Sequence, residues 1–277
     1  MRKFWAVVYD ATNHFIAEDG WAIASHIALS TLTSLFPFLI FVTALAGFLG
    51  TQSLADEATH LIFAAWPAVV AGPIAGEVHN VLTAPRGGLL TFGAVLALYF
   101  SSSAIEALRT GLNRAYACQE PRPWWRLRLQ SLVFALLASA ALLALAFLVV
   151  LGPLIWAGVL RFVPGLAPLQ VVVTFARLGV ASSLLTITLL VAHRWLPAKR
   201  LRFLDIAPGV VATFVGSIAF GEIIGAYLSE FARNYVSTYA GLASVMIALV
   251  FLYAMAALFV FGGALNAAIM QARQSRA

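Results

Sequence analysis

The residues best suited to chemistry are few and scattered. The histidines are His14, His26, His60, His79 and His193, and the aspartates are Asp10, Asp19, Asp56 and Asp205. Metal-assisted hydrolysis needs such groups gathered around ions that activate water. No HxH or HxxxH pairing brings these histidines together, and the aspartates are equally dispersed. A phosphate-cradling P-loop and a GxSxG elbow are both absent from the chain. Ser101-Ser102-Ser103 offers hydroxyls, which read more readily as polar glue between packed helices than as a nucleophile. Arg177 and Glu222 differ from all of these, because each interrupts a long apolar run.

The elements that must carry these residues follow from composition. Of 277 residues, 62% are hydrophobic and only 10% are charged, which is far from globular usage. Crossing a bilayer as a helix takes about 20 apolar residues. Six segments satisfy this, at about 27–49, 88–108, 131–158, 169–193, 206–229 and 241–269. Helices suit such runs, because lipid offers backbone groups no hydrogen-bond partner. The fold class expected is an all-α integral membrane protein, one domain over 1–277, built as a bundle of six transmembrane helices.

The net charge of +6 is concentrated in particular connections. With both termini cytoplasmic, thirteen Lys and Arg fall inside and three outside (Arg86, Arg161 and Arg233), as the positive-inside rule requires. His60 and His79 then lie outside and cannot share a site with the other histidines. The basic stretch 106–129, with Arg109, Arg114, Arg122, Arg126 and Arg128 beside Trp124 and Trp125, becomes a cytoplasmic loop touching anionic headgroups. An RNA-binding fold or stacking platform is not evident there, so no nucleic-acid partner is expected. Cys118 stands alone, excluding an internal disulfide. Asp10, Glu18 and Asp19 argue against a cleavable signal peptide.

Shorter amphipathic helices are expected at the membrane surfaces: 53–65 and 74–82 outside, and 3–16 inside. Each is read as a cap on the bundle, with a lateral gate as the alternative.

Arg177 lies about eight residues from the outer end of its span and Glu222 about seven, which puts both roughly 10–12 Å deep at 1.5 Å per residue. Charges in lipid need partners. The expectation is an intramembrane pair that either fixes helix register or lines a substrate site. Glu106 is expected to pair with Arg109 one turn away. Gly216, Gly221 and Gly225 predict close helix packing around Glu222, away from lipid. Pro37 and Pro153 should kink or interrupt their helices. Asn113 and Asn266 share a Leu-Asn-x-Ala context and read as end caps, with a remnant internal repeat as the alternative.

Several of these stretches resemble a known family. Ile27-Ala28-Leu29-Ser30 with Ser34-Leu35-Phe36-Pro37-Phe38-Leu39-Ile40 is similar to the first helix of the YihY/BrkB proteins of bacterial inner membranes. Gly111-Leu112-Asn113-Arg114-Ala115-Tyr116, then Arg122, Trp125 and Arg128, resembles the loop after their second helix. Tyr239-Ala240-Gly241-Leu242, Leu252-Tyr253 and Gly262-Gly263-Ala264-Leu265-Asn266 resemble their last helix. Many members carry tyrosines near Leu29 and Ser30, so no hydroxyl role transfers there. The resemblance implies six spans, an inner-membrane location and family-motif positions at Pro37, Asn113, Tyr116, Arg122, Gly263 and Asn266. The family has also carried the label ribonuclease BN.

The functional expectation is a non-enzyme, without cofactor or metal, whose partners are membrane lipids. It would transport or translocate a lipid-like or amphipathic anion. The alternative is a non-transporting scaffold for envelope partners, and the remote one is the ribonuclease of the old label. A homo-oligomer is compatible with the sequence.

Overall fold

A computed structural model describes residues 2–48, 87–239 and 242–274. The expected surface helices 53–65 and 74–82, with Asp56, His60 and His79, lie outside the described residues. Among the described residues every regular element is helical.

Eight α-helices follow in chain order: α1 (Arg2–Ala17), α2 (Gly20–Phe48), α3 (Gly87–Ala115), α4 (Trp124–Ala146), α5 (Gly152–Phe162), α6 (Gln170–Trp195), α7 (Phe203–Tyr239) and α8 (Leu242–Gln274). Proline and left-handed residues mark the breaks. Helix α3 ends in a Schellman turn: Cys118 N–H donates to Asn113 O and Ala117 N–H to Arg114 O, with Ala117 at φ 51°. Pro123 precedes α4, and its carbonyl receives the first free amides, from Arg126 and Leu127. Pro164 and Pro168 fall in a 3-10 turn, Pro164–Leu169, leading into α6.

The span expected over 131–158 is interrupted near Pro153, as that proline predicts. A π-helical turn, Phe147–Leu151, separates α4 from α5, and Pro153 sits in the first turn of α5. Proline has no N–H for the carbonyl four residues back, and its ring crowds that carbonyl. Val149 O therefore has no α-helical donor at position 153. Pro37, by contrast, lies inside a continuous α2.

Helix α8 is central, packing against α1, α2, α3 and α7, while α4 and α6 lie toward the periphery. The buried core gathers at one end of the bundle around Ala24, Leu112, Leu196, Ile206, Val210 and Ala264. Elsewhere large apolar side chains face outward, including Leu136, Leu137 and Leu142 on α4 and Val171, Val172 and Phe175 on α6. An apolar helix that is not buried in protein belongs in hydrocarbon. Four runs are long and apolar enough to cross a membrane: Trp124–Val149, Pro164–Trp195, Phe203–Leu228 and Val245–Gln274. The other two expected spans fall within α2 and α3. The protein is a membrane protein.

Helix α1 forms where the 3–16 pattern predicts it. Ala11 and Phe15 are buried, and Trp5 and Tyr9 face outward. His14 Nε2 meets Ala115 O at 2.9 Å, tying α1 to a terminal carbonyl of α3.

Candidate functional site

Five of the six family-motif positions converge at the densely packed end. Pro37 does not join them.

The first group ties the connection after α3 to the connection after α6. Glu120 is gripped by Arg122 through Nε to Oε1 at 2.6 Å and Nη2 to Oε2 at 2.7 Å. Asn113 Nδ2 adds a bond to Oε2 at 2.9 Å. The Arg122 hydrogen bonds chiefly, and the Asn113 bond with them, hold the Glu120 carboxyl at about 2, well below its ordinary 4.5, against the opposing effect of burial. Arg122 also donates to Leu196 O at 3.0 Å and Gln130 Oε1 at 2.9 Å. Asn113 Oδ1 accepts from Ala198 N–H at 2.8 Å. Arg109 donates to Ser131 Oγ at 3.2 Å and lies 3.8 Å from Glu120. Glu106, expected with Arg109, pairs instead with Arg128 at 3.0 Å. Helix α4 folds back beside α3 and brings Arg128 alongside, which no spacing within α3 reveals.

The second group lies deeper. Asn266, fully buried, accepts from Gly209 N–H at 2.6 Å and donates to Ile206 O and Tyr116 Oη, both at 3.0 Å. With its oxygen lone pair engaged by Asn266, the Tyr116 hydroxyl donates to His193 Nδ1 at 2.8 Å. Burial pushes the Tyr116 phenol far above its ordinary range, so it is a hydrogen-bonding strut rather than a proton carrier. The sequence predicts that Asn113 and Asn266 cap their own helices, but their side-chain bonds go elsewhere. Each reaches across to another element, because both side chains point into interhelical contacts at the packed end.

Glycine makes those contacts close. A Cβ on Gly262 would sit 2.7 Å from Gly209 O and also collide with Thr213 Oγ1. A Cβ on Gly263 would sit 2.9 Å from Ala115 Cβ. Adjacent glycines on α8 thus admit α7 on one side and α3 on the other.

The expected packing around Glu222 is corrected. Among the described residues nothing lies within 4 Å of a Cβ on Gly221 or Gly225, and Glu222 is exposed. Helix α7 packs through Gly209, Thr213 and Gly216, whose added Cβ would meet Leu258 at 2.9 Å. At about 100° per residue, positions 221, 222 and 225 are turned well away from that face.

Arg177 and Glu222 are not joined by an ion pair among the described residues. Arg177 Nη1 instead donates to Leu148 O and Val149 O, both at 3.4 Å, within the π-helical turn. Val149 O is the acceptor that Pro153 cannot serve. Gly152 lets the guanidinium in, since a Cβ there would lie 2.8 Å from Arg177 Cδ. Beside it is a cavity of about 120 Å³ lined by Gly152, Pro153, Trp156, Ala157, Leu160, Gln170, Val173, Thr174 and Arg177. Among the described residues the buried Trp156 Nε1 has no hydrogen-bond partner. Sequence reasoning singled out Arg177 and Pro153 but missed their partnership, along with Gly152 and Trp156. The spacing Gly152-Pro153-x-x-Trp156 was its available signal.

Among the described residues no three His, Cys, Asp or Glu side chains gather as a metal site. The polar atoms of the packed end are largely committed to one another, which suits a rivet. The Arg177 cavity has donors without an acceptor among the described residues and is the candidate binding site.

The family model described as virulence factor BrkB matches residues 11–277. A curated relative from Bacillus subtilis (strain 168), described as ribonuclease-like protein YfkH, is 30% identical over 256 residues, covering 92% of each chain. No solved structure matches the chain.

Proposed function

The chain belongs to the BrkB virulence factor family, and we propose that it is a multi-pass protein of the bacterial inner membrane that moves a lipid-like anionic amphipath. In this reading the bundle crosses the membrane six times, with both termini and the packed end in the cytoplasm and the Arg177 cavity in the outer half. The observation that carries it is a cationic cavity at a helix break, bordered by outward-facing apolar side chains such as Ile155, Val172 and Phe175. Ionisable groups within apolar spans mark substrate paths, and transporters place sites at broken helices.

The reading includes no enzymatic step. The relative's name is ribonuclease-like, but the polar residues of the packed end are engaged in holding helices together.

Reconstitution tests both halves. Vesicles containing the protein should exchange labelled anionic phospholipid between leaflets faster than protein-free vesicles, and Arg177→Gln should return the rate to that of bare lipid. Unchanged exchange with several headgroups would favour the scaffold. Purified protein with RNA and divalent ions should leave the RNA intact; metal-dependent cleavage abolished by His or Asp substitutions would make it a nuclease.

A further inference from the structure

Resting on that reading, we infer that the Arg177 cavity is a headgroup site for a phosphoryl-type oxyanion on a lipid whose chains stay outside against α5 and α6. The argument begins with the donors. A guanidinium has five N–H groups in a rigid fork, and Arg177 uses one nitrogen on two long, weak contacts. Among the described residues its remaining donors meet no acceptor. Trp156 contributes an indole N–H, a donor that cannot accept, and this one has no acceptor among the described residues. Gln170 and Thr174 add neutral polar groups, and among the described residues no carboxylate lines the cavity. Such a lining favours a ligand that brings acceptors and negative charge.

Size and surroundings narrow the class. About 120 Å³ far exceeds the roughly 10–15 Å³ one water needs on the same measure. The space suits a group of several atoms rather than a halide. Around it, Ile155, Phe162, Val163, Val171 and Phe175 turn apolar surface outward. A free oxyanion gains nothing from that rim, whereas acyl chains lie on it as they lie in the bilayer.

The protein also fixes the fork in place. Pro153 withholds an N–H from Val149 O, that carbonyl and Leu148 O hold Nη1, and Gly152 gives the side chain room. The π-helical turn is therefore the seat of the binding arginine. Turns of this kind recur at functional sites. Trp156 Nε1 is closed off from the cavity space, so a ligand oxygen reaches it only as the ring tilts; indole emission reports that step.

The test is equilibrium selectivity, separate from leaflet exchange. The full chain in phosphatidylcholine nanodiscs is titrated with spin-labelled phosphatidylglycerol or spin-labelled phosphatidylcholine, and the immobilised fraction gives relative affinities. Preference for the phosphatidylglycerol should be about tenfold, equivalent to about 1.4 kcal/mol. Arg177→Gln should abolish that preference, and Trp156→Phe should reduce it. Should Arg177→Gln fail to fold, the Pro153→Ala/Arg177→Gln double variant, in which Val149 O regains an N–H, must show the same loss. Inorganic phosphate in large excess should not displace the lipid. Preference surviving without Arg177, or displacement by phosphate alone, overturns the inference. Selective binding without leaflet exchange would sink the transport reading and leave the site standing; exchange without selectivity would do the reverse.

Discussion

Replacing Asn266 with alanine tests whether the packed end is held by its buried polar bonds. The amide makes three of them, to Gly209 N–H, Ile206 O and Tyr116 Oη, and all three partners are buried. A neutral hydrogen bond contributes about 1 kcal/mol net, and a buried partner left unsatisfied costs about 1–3 kcal/mol. Alanine leaves space for water to reach some of these groups, so the expected loss is about 3 kcal/mol. Tyr116→Phe should cost about 2 kcal/mol, since it strands Asn266 Nδ2 and the His193 Nδ1 acceptor together. The double variant should lose less than the sum, by about 1 kcal/mol, because the singles share one bond. Unfolding by dodecyl sulfate in mixed micelles, followed by circular dichroism, measures all three. Losses within about 0.5 kcal/mol of zero for Asn266→Ala, or strict additivity, would refute the account.

Gly262→Ala should destabilise by at least about 3 kcal/mol or prevent assembly, since α7 backbone blocks the methyl. Gly221→Ala, facing open space, should be neutral or stabilising by up to about 1 kcal/mol in the same titration. Because the folded Glu120 carboxyl titrates near 2 instead of 4.5, its stabilisation is complete above about pH 4.5 and disappears as pH falls through about 2. Wild type and Glu120→Gln should accordingly converge in stability on acidification across that window; a constant difference would count against it. Arg177→Gln should cost about 1 kcal/mol more in wild type than in Pro153→Ala, where Val149 O already has a backbone donor.

The helices were legible because their signal is cumulative: every expected span within the described residues lies on a helix, and Pro153 announced its break. Which side chains meet was much less legible. Asn113 and Asn266 stood out by their shared context, but a local pattern cannot reveal that one reaches Ala198 and the other Gly209. Glu120 carries no signal of its own, because its bonds to Arg122 and Asn113 depend on how the turn after α3 folds, and His193 reads only as one of five scattered histidines, because its partner Tyr116 is distant in the chain. Glycine spacing misled at Gly221 and Gly225, since a small-residue step marks a face capable of packing whether or not a neighbour arrives. Arg177 was noticed for its charge, while its bonds depended on a neighbouring helix losing one of its own.

The crossing at Gly209 and Gly262 has a mechanical consequence. Two backbones in direct contact, pinned by Asn266, leave almost no travel at that level. The same two helices follow one another in the chain at their far ends, Tyr239 and Leu242, so the pair is tied at both ends and shifts as one stiff body. Any rearrangement of the bundle at that level must carry α7 and α8 together unless Asn266 releases Gly209.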